Sequence, residues 1–348
     1  MPSSGHPEDH DAPVLPGLGI SRRRSFMHAD TKPVILSCSG ITLKPEESAF
    51  FRDFKPFGFI LFARNISDRA QLKLLCKDLR DAVGWRCPIL IDQEGGRVRR
   101  MRPPEWRDYP SMKEIGDKDD KDRLIEVIRS ISDDMNGVGI DVDCAPVLDV
   151  LFENTHDAIG NRAFSHDPDL VGALGALACE CFINEGITPV VKHIPGQGRS
   201  ALDSHYDLPV VSANLADLEA MDFRPFRHVL RQPYALKVWA MASHIIYTAV
   251  DPDHPASVSA KVTDLIRNDL NFNGLLLSDD LCMNALARYG SPADRVVKTL
   301  EAGLDIALYC AGHLNEMIDI AKACPPLREE SLKRYDASRL RAGSPAGL

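Results

Sequence analysis

Eight short apolar runs dominate the chain from Pro33 onward: Val34–Ser37, Gly58–Phe62, Pro88–Asp92, Asp141–Pro146, Thr188–Lys192, Ala240–Ser243, Gly274–Ser278 and Asp305–Tyr309. They are nearly continuous rather than alternating. A strand that is apolar at successive positions is covered on both faces, which is the condition of a parallel sheet wrapped by helices. Helix-length segments separate each run from the next. Eight such units in about 310 residues predict an α/β protein built as a single (β/α)8 TIM-type barrel. A doubly wound sheet is the structural rival, but it usually has fewer strands, and no Gly-x-Gly-x-x-Gly follows any of these runs.

The intervening segments carry the 3.6-residue period. Leu124, Val127, Ile128, Ile131, Met135 and Val138 share one helix face, and Leu170, Leu174, Leu177, Ala178, Cys181 and Phe182 share another. Ser67, Asp167-Pro168 and Ser291-Pro292 are start signals, with proline tolerated in the first turn. No repeat or interdomain linker interrupts the pattern. The expected organisation is a disordered Pro/Gly/His-containing extension over residues 1–30, the barrel over 31–325, and a C-terminal helix and tail over 326–348.

Charge narrows the function. There are 41 basic and 50 acidic residues, a net charge of −9, which argues against a protein that tracks nucleic-acid phosphates. No stretch approaches the roughly 18–20 uncharged apolar residues that span a bilayer, so no membrane partner is expected. Ser21-Arg22-Arg23-Arg24-Ser25-Phe26 looks like a twin-arginine export signal, but the polar Met27-His28-Ala29-Asp30-Thr31-Lys32 follows where an apolar region is needed. Nine cysteines, an odd number without a Cys-x-x-Cys, read as buried free thiols. A cytoplasmic location is the expectation.

A barrel carries its chemistry at the C-terminal ends of its strands. Those ends are where this sequence becomes polar: Asp92-Gln93-Glu94-Gly95-Gly96-Arg97 after the third run, Lys192-His193 after the fifth, Ser243-His244 after the sixth, and Ser278-Asp279-Asp280 after the seventh. Asp279 follows a buried run, so its carboxylate is expected to be rigid and partly desolvated, as suits a nucleophile toward an oxocarbenium-like centre. The competing reading is a cap on a helix at Leu281–Ala287, which accounts for one of the two aspartates but not both. The long segment from Ile194 to Asn214 holds Pro195-Gly196-Gln197-Gly198 and then Asp203-Ser204-His205. In Asp-x-His, a carboxylate can orient an imidazole and raise its basicity, giving a general acid and base near neutrality. A surface Asp–His contact is the plainer reading of the same three residues.

Taken together, Asp92-Gln93-Glu94-Gly95-Gly96-Arg97-Val98, Lys192-His193-Ile194-Pro195-Gly196 with Asp203-Ser204-His205, and Ser278-Asp279-Asp280-Leu281 resemble glycoside hydrolase family 3. Within it they look like the single-domain bacterial β-N-acetylglucosaminidases of peptidoglycan recycling. Asp143-Cys144-Ala145-Pro146-Val147-Leu148-Asp149-Val150, Ile159-Gly160-Asn161-Arg162-Ala163-Phe164 and Met241-Ala242-Ser243-His244 extend the match. The resemblance implies a retaining double displacement with Asp279 as nucleophile and His205, paired with Asp203, as acid and base. It implies that Asp92, Arg100, Arg162, Lys192 and His193 hold a β-linked N-acetylglucosamine unit, as on a muropeptide or anhydro-muramyl sugar. It implies no metal and no organic cofactor. A monomer is expected.

Three other activities fit parts of the pattern. A histidine acid and base tolerates phosphate as acceptor, so an N-acetylglucosaminide phosphorylase is one; a β-glucosidase of the same family is another. A metal-dependent barrel hydrolase using His193, Asp203, His205, His244 and Asp279 is the third. One departure stands out: the family commonly has Pro-Gly-His-Gly where this chain has Pro195-Gly196-Gln197-Gly198, and glutamine does not titrate.

Overall fold

The computed structural model describes residues 27–202 and 208–340. Its ten strands are β1 (Lys32–Leu36), β2 (Pro56–Leu61), β3 (Ile89–Ile91), β4 (Val142–Asp143), β5 (Thr188–Ile194), β6 (Val210–Val211), β7 (Trp239–Ala242), β8 (Ile246–Tyr247), β9 (Leu276–Asp280) and β10 (Ile306–Leu308). Eight close into a barrel in the order β1-β10-β9-β7-β5-β4-β3-β2, every pairing parallel. Each of the eight apolar runs overlaps one barrel strand, so the (β/α)8 expectation holds. All six residues of β2 and all seven of β5 are buried, as two-sided coverage requires.

The helices form where the spacing places them. Lys121–Val138 buries Leu124, Val127, Ile128, Ile131, Met135 and Val138; Asp120 caps it by accepting from Arg123 N, and Gly139 ends it at φ 88°. Pro168–Asn184 departs from the expectation. It buries Val171, Gly172, Gly175 and Cys179 as well, while Leu170 and Leu177 are only partly buried, because this helix is packed between two neighbours, Lys121–Val138 and Arg224–Leu230. Ser291 caps Pro292–Glu301 as its sequence indicates. At Ser67 the cap moves one residue on: Asp68 accepts from Gln71 N and the helix runs from Arg69 to Val83.

Two segments differ from the sequence reading. The long connection after β5 is not wholly irregular, since Val210–Val211 pairs in parallel with Ile246–Tyr247. After β9 there is no α-helix at Leu281–Ala287; a 3-10 turn covers Asn284–Tyr289 instead.

The C-terminal helix Glu329–Ser338 is built into the barrel floor. Tyr335 packs edge-on against Phe57 at a centroid distance of 4.9 Å and also meets Trp85 and Trp239. Trp239 Nε1 donates to Ser338 Oγ at 2.8 Å, and Asp305 accepts from Ser331 and pairs with Arg267 and Arg334. This fixed floor leaves the opposite end, where the strands terminate in polar residues, as the open mouth. Among the described residues no helix is long and apolar enough to cross a membrane. All nine cysteines are free, and eight are buried.

Candidate active site

Five side chains form a continuous ion chain across one side of the mouth. Asp92, just past β3, accepts from Arg100 Nη2 at 3.0 Å on one oxygen and from Lys192 Nζ at 2.7 Å on the other. Lys192 Nζ also lies 2.6 Å from Glu94 Oε1, and Glu94 is held by both arms of Arg162 at 2.8 Å each. Burial pushes the Asp92 carboxyl up, but the Lys192 and Arg100 charges outweigh it and hold the group well below the usual carboxylate range. Glu94 is likewise pulled down to about 2, burial being overcome by Arg162 and Lys192. Burial alone would neutralise Lys192; Asp92 and Glu94 reverse that and keep it charged.

The chain continues to His193. Arg162 Nη2 lies 3.5 Å from His193 Nε2, and His193 Nδ1 is 2.8 Å from Asp149 Oδ2. An imidazole carrying its proton on Nδ1 satisfies both contacts. The other Asp149 oxygen accepts from the backbone N–H of His193 and of Gln197, at 3.2 and 2.7 Å. Lys192 and His193 both belong to this network because the β5–β7 register shifts between Lys192 and Ile194.

Asp279 stands at the end of β9, half-buried. Oδ1 accepts from the backbone N–H of Asp280 at 2.7 Å, and among the described residues nothing donates to Oδ2. Burial pushes this carboxyl up; His244, His193, the Asp280 N–H and Lys192 together bring it below its ordinary value, so it is ionised. Asp280 does the local structural work, with Oδ1 accepting from Cys282 N at 2.9 Å and Cys310 N at 3.2 Å. The helix-cap role therefore falls to neither aspartate in its α-helical form, and Asp279 is left facing the opening.

His244 is not poised for metal. Its Nδ1 meets Ser257 Oγ at 2.7 Å and its Nε2 the carbonyl of Asp280 at 2.9 Å, so both ring nitrogens are occupied, and burial holds its basicity down. Among the described residues no three His, Cys, Asp or Glu side chains are arranged to hold a metal ion.

The loop that carries the other candidate group is rooted beside this network. Tyr247 Oη donates to Gly196 O at 2.8 Å, Thr155 Oγ1 donates to Gly198 O at 2.6 Å, and Arg199 Nε donates to Asp222 at 2.7 Å. Gly198 sits where a Cβ would lie 1.7 Å from the Val150 carbonyl oxygen. Asp203 and His205 lie outside the described residues.

The structure thus brings together Asp92, Arg100, Arg162, Lys192, His193 and Asp279. Sequence reasoning assigned no part to Glu94 and Asp149, which bridge these residues. Both have a signal: each is an acidic residue at the end of a buried apolar run, Pro88–Ile91 and Pro146–Leu148.

A parallel barrel whose mouth carries an ionised carboxylate and a cation-pinned polar wall has the groups that glycoside hydrolysis uses. Residues 36–338 match the glycosyl hydrolase family 3 N terminal domain. A β-hexosaminidase of Nitrosomonas eutropha is 35% identical over 285 residues, 80% of each chain, and one of Pseudomonas aeruginosa is 32% identical over 307 residues, 86% of this chain and 90% of that one. NagZ from Neisseria gonorrhoeae in complex with N-trifluoroacetyl-D-glucosamine superposes with a TM-score of 0.82 at 29% identity, covering 91% of this chain and 92% of that one. A family 3 β-N-acetylglucosaminidase from Paenibacillus gives 0.81 at 27% identity, where the match covers 91% of this chain and 63% of the other. The chain belongs to glycosyl hydrolase family 3.

Proposed function

We propose that this protein is a retaining β-N-acetylhexosaminidase that removes non-reducing β-linked N-acetylglucosamine from muropeptide or anhydro-muramyl sugars in cytoplasmic peptidoglycan recycling, acting as a monomer. The observation that carries this reading is the pair of environments at the mouth. Asp279 presents an ionised oxygen with no donor on it among the described residues, while Asp92 is locked between Lys192 and Arg100. An unpinned carboxylate can attack; a pinned one can only bind.

In this reading Asp92 accepts from sugar hydroxyls, Arg100, Arg162 and Lys192 donate to the same unit, and His193 completes the wall that holds it. Asp279 attacks the anomeric carbon and forms a glycosyl ester as the aglycone leaves. His205, oriented by Asp203, protonates the departing oxygen, then takes a proton from water as the ester is hydrolysed. A histidine in this role avoids setting a second negative charge beside Asp279. The β-hexosaminidase names of the relatives and the N-acetylglucosamine analogue bound by the Neisseria protein support the sugar assignment.

The test is hydrolysis of an aryl β-N-acetylglucosaminide against the matching aryl β-glucoside. The parent is expected to prefer the acetamido sugar, and Asp279→Asn to lose roughly 10³-fold or more in kcat, about 4 kcal/mol of barrier. Preference for the glucoside overturns the substrate class; parental activity in Asp279→Asn overturns the mechanism.

A further inference from the structure

Behind Asp92 and Glu94 lies a carboxyl group that the mechanism above does not use. Asp143 ends β4, is fully buried, and accepts from the backbone N–H of Gln93 at 3.0 Å through Oδ1. Its Oδ2 is buried without a partner. Gln93 is itself fully buried and acts as a clamp: its Oε1 accepts from Arg100 N at 2.9 Å and Met101 N at 3.1 Å, and its Nε2 donates to Met101 O at 3.0 Å. The segment it clamps carries Arg100, which reaches back 3.0 Å to Asp92. A single relay therefore runs from Asp143 through Gln93 to the Arg100–Asp92 pair.

We propose that Asp143 is a positioning residue for sugar binding, acting through Gln93 on Arg100 and Asp92, and that it serves this role only as the neutral acid. The inference rests on the reading of Asp92 and Arg100 as sugar-holding groups.

The surroundings say why the neutral form is the working one. The groups that face Asp143 are Asp92 and Glu94 from the segment after β3, Lys192 from β5, and the adjacent Cys144 thiol. Lys192 is already engaged by Asp92 and Glu94 at 2.7 and 2.6 Å. An Asp143 anion would repel both carboxylates and compete for their shared lysine, with one buried oxygen unpaired among the described residues. Burial, with the charges of Asp92 and Glu94, raises the Asp143 carboxyl to about 8 against the pull of Gln93 N–H and Lys192. Loss of its proton above that pH loosens the wall that binds the sugar.

The measurement is kcat and KM of the full chain on a non-titrating aryl β-N-acetylglucosaminide between pH 6 and 9.5. If only the protonated form binds, apparent affinity scales with its population, and KM rises about tenfold from pH 7 to pH 9. Asp143→Asn keeps an acceptor for Gln93 N–H and cannot ionise, so its KM ratio between those pH values falls to about one. A merely structural aspartate moves neither ratio. A parent KM that is flat to pH 9, or an Asp143→Asn profile that keeps the tenfold rise, overturns the inference. Asp92→Asn separates the two layers: raised KM there with no change in the Asp143→Asn ratio sinks the role of Asp143 alone, whereas parental KM in Asp92→Asn removes the binding reading and this inference with it.

Discussion

Replacing Lys192 with methionine tests the ion chain directly. Methionine keeps an unbranched apolar stem in the buried site and removes only the ammonium. That ammonium is 2% exposed and contacts Asp92 and Glu94 at 2.7 and 2.6 Å. Glu94 is carried from an ordinary 4.5 down to about 2 by Arg162 and Lys192 together, which corresponds to about 3 kcal/mol. Removing one partner of a buried ion pair costs roughly 3–5 kcal/mol. Because Arg162 and Arg100 remain on the two carboxylates, the lower end applies, about 3 kcal/mol. With an unfolding entropy of about 2 cal/mol/K per residue over a barrel of this size, the melting temperature drops by about 4–5 °C at pH 7.

The pH dependence identifies the cause. In the parent, Asp92 and Glu94 are depressed, so the stability they contribute is present above their unfolded values and is lost as pH falls toward their folded ones. In Lys192→Met much of that contribution is gone at neutral pH. The gap between parent and variant is therefore full at pH 7 and narrows below about pH 4. Calorimetric melts of both proteins at pH 7 and at about pH 3, inside the window between the unfolded and folded values, measure it. A variant as stable as the parent at pH 7, or a gap of equal size at both pH values, refutes the electrostatic account and leaves only packing. KM for the acetamido sugar is also expected to rise, since Asp92 loses one of its two anchors.

Gly198→Ala places a methyl group 1.7 Å from the Val150 carbonyl oxygen, so the backbone around Gly198 must move; kcat is expected to fall with a loss of roughly 1–3 kcal/mol in stability, and parental values of both would show that the backbone is not fixed there. Gln197→His keeps the backbone N–H that Asp149 holds at 2.7 Å, so kcat and the pH optimum are expected to stay parental; a displaced optimum in the pH–rate profile would give the side chain at 197 a part in the proton transfer.

The barrel was legible because the signal for two-sided burial is local: each apolar run states its own environment, and eight of them leave little freedom of topology. The site was legible in part for a related reason. Asp92, Lys192, His193 and Asp279 stand where strands stop, so their convergence follows once the barrel is accepted. Glu94, Asp149 and Asp143 were not legible as partners, because their roles depend on contacts between residues distant in sequence, such as Asp149 with His193 and Glu94 with Arg162, 44 and 68 residues apart. The fate of the residues after Asp279 was misjudged for a different reason. An aspartate before a short apolar stretch is a good helix cap by propensity, yet Asp280 accepts from Cys310 N, just past the adjacent strand β10, and the residues that follow form only a 3-10 turn.

The charges at the mouth explain why the parts differ in form. Arg100, Lys192 and Arg162 supply three positive charges, and Asp92, Glu94, Asp149 and Asp279 supply four carboxylates around them. The cations are spent on the first two, which are the best pinned. Asp149 is satisfied by N–H donors, namely the His193 ring and two backbone amides. Among the described residues Asp279 is held by one backbone N–H, which leaves its second oxygen open for the proposed attack. Arg100, Lys192 and Arg162 are already engaged, so a fifth anion would have to share one of them. That constraint applies to two positions at once: it favours a neutral acid at Asp143, and it favours an imidazole rather than a carboxylate as the proposed acid and base. A chain with a net charge of −9 thus places three cations at the mouth, where Arg100, Lys192 and Arg162 fix Asp92 and Glu94, and the proposed sugar, being electroneutral, adds no charge to that balance.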